Sequence, residues 1–129
     1  MFFTAGQLVA HLVGDYILQT HWMAVRKTED SFAAVVHAVT YSLPFLLLTT
    51  SWMALTVIIV THFVIDRWRL ARHLTWFKNQ LVPSKLRFSW AASSTGYHPS
   101  LPPFIAVTLL FITDNTMHII INGLAITLL

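Results

Sequence analysis

Cysteine is absent from the chain, which excludes a disulfide framework and any thiolate metal site. Charge is nearly as scarce. Only 10% of the 129 residues are Asp, Glu, Lys or Arg, where a soluble domain carries about 25%. That shortfall is too large for a surface facing water on all sides. Several short chemical signatures are missing too: there is no Gly-rich phosphate loop, no H-E-x-x-H and no G-x-S-x-G. No internal repeat or low-complexity run divides the chain, so it reads as one domain.

What is present is apolar sequence, 56% of the whole. It falls into four stretches, about 2–24, 32–50, 52–70 and 103–129, each near the roughly 20 residues that cross a bilayer as a helix. The first has no basic lead-in and no small-residue cleavage site, so it reads as a retained helix and not a signal peptide. Pro44 falls inside the second stretch and predicts a kink there. A re-entrant hairpin replacing the second and third spans is the alternative topology.

The position of the basic residues orients the spans. Arg26 and Lys27 follow the first; Arg67, Arg69, Arg72, Lys78, Lys85 and Arg87 follow the third. These account for all 8 Lys and Arg, and none lies at either terminus or in the second connection. Basic residues near span ends stay in the cytoplasm. The expectation is therefore an all-α, four-helix transmembrane bundle with both termini on the extracytoplasmic side. The net charge of +3 is then a topology signal and implies no nucleic-acid partner. The long connection, about 75–100, interleaves Trp76, Phe77, Phe88, Trp90 and Tyr97 with Lys78, Lys85 and Arg87. Such a mixture favours the headgroup zone, either as a loop resting on anionic lipid or as a lid that recruits a phosphate-bearing substrate.

Ionisable residues inside these spans are the main anomaly. An aspartate at a helix centre costs about 2.5–3.5 kcal/mol on insertion scales. Yet the first span carries His11 and Asp15, the third His62 and Asp66, and the fourth Asp114 and His118, each pair four residues apart. That spacing puts both members on one helix face, one turn apart. The second span adds His37, with Tyr41 one turn on. Counted inward from the outer ends of the spans, their depths agree within roughly one to two turns.

Imidazole nitrogen and carboxylate oxygen are ligands for Zn²⁺, Mn²⁺ or Fe²⁺. The candidate metal ligands are thus His11, Asp15, His37, His62, Asp66, Asp114 and His118, for one or two divalent ions, zinc first and manganese or iron as alternatives. Gln19, Tyr41, Asn115 and Asn122 are candidate supporting groups, because metal ligands are usually oriented by further hydrogen bonds. Arg69 continues the His62–Asp66 face towards the cytoplasm, with His73 beyond it, and is a candidate phosphate clamp or simply a topology anchor. His21 and His98 are expected to be peripheral.

Together, HLVGDYILQTHWMAVRK, an isolated His37, THFVID and DNTMH resemble an uncharacterised family of small integral membrane proteins of bacteria and their phages. The likeness covers nearly the whole chain. It maps onto His11, Asp15, Gln19, His37, His62, Asp66, Asp114 and His118, with Asn115 standing where the family pattern has Gln. The resemblance implies a multi-pass protein of the bacterial inner (cytoplasmic) membrane and no established activity. More distantly the chain is similar to membrane-bound metal-dependent hydrolases, which also place His and Asp in short spans.

The leading expectation is an intramembrane metal site that activates water for hydrolysis of a lipid or lipid-linked phosphate. A second is a non-enzymatic membrane protein, a phage or bacterial accessory factor, in which His–Asp pairs hydrogen-bond helices together. A third is a proton or ion transporter, since Asp and His chains relay protons; at this length it would form a homo-oligomer to enclose a pathway. A bis-histidine haem site fits the paired aspartates poorly.

Overall fold

Thr4 starts the first helix by a reciprocal cap. Its hydroxyl accepts from the Gln7 amide, and the Gln7 side chain accepts from the Thr4 amide. In the computed structural model, which describes residues 1–129, this opens α1, Ala5–Leu12. The helix does not run on to residue 24. It widens into one π-helical turn, Val13–Ile17, closed by the Leu18 amide on the Val13 carbonyl at 3.0 Å. The chain then breaks and restarts at α2, His21–Arg26, capped by the Thr20 hydroxyl.

Asp30 caps α3, Ser31–Ser42, by accepting from the Phe32 amide. The expected effect of Pro44 is seen: the α-helix ends at Ser42 and continues as a 3-10 segment, Leu43–Leu47, which needs no amide from proline. Ser51 caps α4, Trp52–Arg67. The last two helices are α5, Leu70–Asn79, and α6, Pro103–Leu128. Short 3-10 turns at Ser84–Leu86 and Trp90–Ala92 occupy the connection between them. There is no strand anywhere.

The all-α expectation is met, and the four-span one only in part. By length and composition, one helix, Pro103–Leu128, can cross a membrane. The 16 residues of α4 rise about 24 Å, short of the roughly 30 Å hydrocarbon core. The first apolar stretch is divided into three pieces by the π turn and the break. Hydropathy could not show this, because breaking a helix changes its hydrogen bonds and not its composition.

The chain forms two compact units. One comprises Met1–Trp68 and Met117–Leu129; the other is Arg69–Thr116. The core of the first is small-sided. Ala33, Ala34, Ala38 and Ala54 are all buried to within 1%, which lets α3 and α4 approach closely. Tyr41, Phe45, Leu55 and Ile58 fill the remaining space with Ala10 and Ala125. Gly14 sits on the π turn where an added Cβ would lie 2.5 Å from the Tyr41 carbonyl oxygen. Only glycine permits that approach.

In the second unit Arg69 takes a left-handed backbone (φ 51°) at the start of α5. Arg72 donates to the carbonyls of Ser93 (2.6 Å) and Trp90 (3.2 Å), and its guanidinium lies 3.7 Å over the Trp90 ring. Asn79 donates to the Gly96 carbonyl. The aromatic and basic residues of the long connection are thus used in part to fold it onto α5.

Candidate metal centre

The π turn carries Asp15 into the first unit opposite α3 and α4. Its Oδ1 lies 3.2 Å from His37 Nε2 on α3 and 3.8 Å from His62 Nε2 on α4. One turn beyond His62, Asp66 places Oδ2 at 3.2 Å from both of the same nitrogens. The two nitrogens face each other at 2.9 Å. Every member is buried: His37 and His62 to within 1%, Asp15 and Asp66 to within 6%.

Two imidazole nitrogens 2.9 Å apart cannot both carry a proton on the facing atoms. At least one therefore presents a bare lone pair to the point that two carboxylate oxygens also face. A convergence of imidazole and carboxylate lone pairs on one point is the chemistry of a cation site. Asp15, His37, His62 and Asp66 can hold a metal ion.

The surrounding groups fix these four. His118 Nε2 lies 3.2 Å from Asp66 Oδ1, the carboxylate's other oxygen. His11 Nε2 lies 4.0 Å from Asp15 Oδ2, and its Nδ1 is 2.8 Å from the Tyr41 hydroxyl. That hydroxyl also accepts from Asn122. The Tyr41 ring stacks on His62 at 3.6 Å and 18°. The Nδ1 atoms of His37 and His62 are buried with no hydrogen-bond partner, so the two rings are held by their Nε2 contacts and by packing against Tyr41.

Of the residues picked from sequence, His11, Asp15, His37, His62, Asp66 and His118 come together in the first unit, with Tyr41 and Asn122 in supporting contact. Asp114 lies one turn before His118 on α6 and belongs to the second unit. Gln19 falls in the break after the π turn, its Oε1 buried without a hydrogen-bond partner. Asn115 donates to the Phe111 carbonyl of its own helix. Arg69, exposed and in the second unit, donates to the Ser94 carbonyl at 3.4 Å. His21 and His98 are exposed, as expected of peripheral residues.

Sequence reasoning missed Lys27, which it counted only as a topology anchor. Its ammonium lies 2.7 Å from Asp66 Oδ2, 3.3 Å from His37 Nε2 and 3.9 Å from Asp15 Oδ1. Three of the four converging atoms are therefore within reach of one lysine.

A family model described as "Protein of unknown function (DUF3307)" matches residues 3–128, and the chain belongs to that family. No curated protein and no solved structure matches the chain. The family's description names no reaction, phage origin or relation to hydrolases.

Proposed function

We propose that this member of the family is a membrane protein whose Asp15–His37–His62–Asp66 group binds a divalent metal, zinc first, and uses it to activate water for hydrolysis of a lipid or lipid-linked phosphate. One observation carries the reading. Five of the six separations among Asp15 Oδ1, His37 Nε2, His62 Nε2 and Asp66 Oδ2 run from 2.9 to 3.8 Å. Bonds of about 2.0–2.1 Å in a tetrahedral site require ligands about 3.3 Å apart. Bound zinc lowers the pKa of its water towards about 7, supplying hydroxide at neutral pH. His118 and His11, beside the outer oxygens of the two carboxylates, orient them.

Placement in a bilayer is supported by the apolar surface. Ile17, Leu47, Trp52 and Phe104 are each at least 75% exposed, and α6 is long and apolar enough to cross. A lipid-borne substrate is the class that reaches a centre in such surroundings.

Elemental analysis of protein extracted in mild detergent and reloaded with zinc tests the reading. The expected result is stoichiometric zinc in the wild type and its loss in His62→Ala and in the double variant Asp15→Asn, Asp66→Asn. A wild type that takes up no metal overturns it. The Lys27 ammonium on the same carboxylates favours a second reading, a charge-balanced network that only holds helices together. Under that reading the near-isosteric double variant folds and functions as the wild type does.

A further inference from the structure

Lys27 is the member of the cluster that the metal reading leaves unused. Its Nζ lies 2.7 Å from Asp66 Oδ2, 3.3 Å from His37 Nε2 and 3.9 Å from Asp15 Oδ1. Its side chain is 18% exposed, where those of the two aspartates are 4–6% and those of His37 and His62 no more than 1%. Lys27 is therefore where the cluster meets its surroundings, and an arriving ligand meets the ammonium first.

The backbone below it is tied down. The Lys27 amide donates to the Met23 carbonyl at the end of α2, and Asp30 donates to the Arg26 carbonyl. Arg67 clamps the same turn from α4, donating to the Thr28 carbonyl at 2.7 Å and to the Ser31 hydroxyl. Only the flexible four-carbon stem can move, so the ammonium can swing while its anchor stays put.

We propose that Lys27 is the anion anchor of this centre. It neutralises the two aspartates in the metal-free protein, and it pairs with a phosphate-class oxyanion once a divalent cation takes them. The inference rests on the metal reading above. Charge counting supports it. With neutral imidazoles, two carboxylates and one ammonium leave a single negative charge, and adding a divalent ion leaves a single positive one. That excess sits on two neighbouring cations, the metal and Nζ. A tetrahedral oxyanion places one oxygen on each, whereas a neutral ligand leaves the ammonium unpaired in an apolar site. A phosphodiester lipid headgroup and free phosphate share this chemistry.

The test uses the full chain in a nonionic detergent and phosphate-free buffer. Radiolabelled inorganic phosphate and short-chain phosphatidylglycerol are the two probes, each measured with zinc and with chelator. The expected result is zinc-dependent binding of at least one probe, and the tighter one identifies the source. Lys27→Met should weaken it at least tenfold while binding zinc as tightly as the wild type or more so. Lys27→Arg should retain it, and Arg69→Met should leave it unchanged. Should Lys27→Met fail to fold, the wild-type comparison with and without zinc and the Arg69→Met arm still decide. Zinc binding with no zinc-dependent binding of either probe overturns the anchor and leaves the metal reading standing. So does a Lys27→Met protein that binds the probe like the wild type, or an Arg69→Met protein that loses it. A wild type that binds no zinc removes both.

Discussion

Tyr41 ties three residues of the cluster together. Its hydroxyl joins His11 to Asn122 and its ring stacks on His62. Tyr41→Phe keeps the stack and deletes the hydroxyl, leaving two buried partners unsatisfied. The expected loss of stability is about 1–3 kcal/mol, read from denaturation in detergent, with zinc stoichiometry unchanged. Gly14→Ala should reach the site as well. The new Cβ meets the Tyr41 carbonyl at 2.5 Å, so the π turn must move and carry Asp15 with it. Overpacking of this kind costs about 1–3 kcal/mol, and zinc affinity should fall with it. The residues at four-residue spacing, His11 with Asp15 and His62 with Asp66, were legible because one turn of helix fixes their common face. Tyr41, one turn past His37, was legible for the same reason. Asn115, next to Asp114 in sequence, donates to the Phe111 carbonyl of its own helix.

At the scale of elements, the broken first helix explains why Lys27 escaped notice. Twelve residues separate it from Asp15, which on an unbroken helix is about 18 Å, beyond any lysine's reach. The π turn and the break before α2 bring the chain back towards α4. The available signal was Gln19–Thr20, a polar pair with a good helix-starting residue inside an apolar run. The end of α4 explains Arg69 in the same terms. The helix stops at Arg67, and the left-handed backbone of Arg69 ends the face that its spacing from His62 seemed to continue. Arg67 itself now has a structural task, holding the turn that carries Lys27. Arg67→Met should cost about 1.5–3 kcal/mol, the range for hydrogen bonds to a charged group, and should speed hydrogen exchange at residues 28–31. Unchanged exchange there would mean that the clamp is idle.

For the whole molecule the decisive matter is how often the chain crosses the bilayer. The absence of cysteine makes it directly testable, because each introduced thiol is the only one present. Under the four-span expectation, Thr28→Cys should react with a membrane-impermeant maleimide from the cytoplasmic side and Thr50→Cys from the opposite side. A Thr50→Cys that the reagent does not reach from the opposite side would leave the second and third apolar stretches as a re-entrant hairpin with Thr50 at its tip. Whatever the topology, the alanine seam between α3 and α4 has a consequence for how the centre can change over time. A slip of one residue along that seam would turn His62 through about 100° and part it from His37. The buried alanines leave no slack for such a slip, since any larger side chain would prise the helices apart. The seam therefore works as a vernier: it holds the two imidazoles in register, and it ties the variability of four alanines to the placement of two histidines.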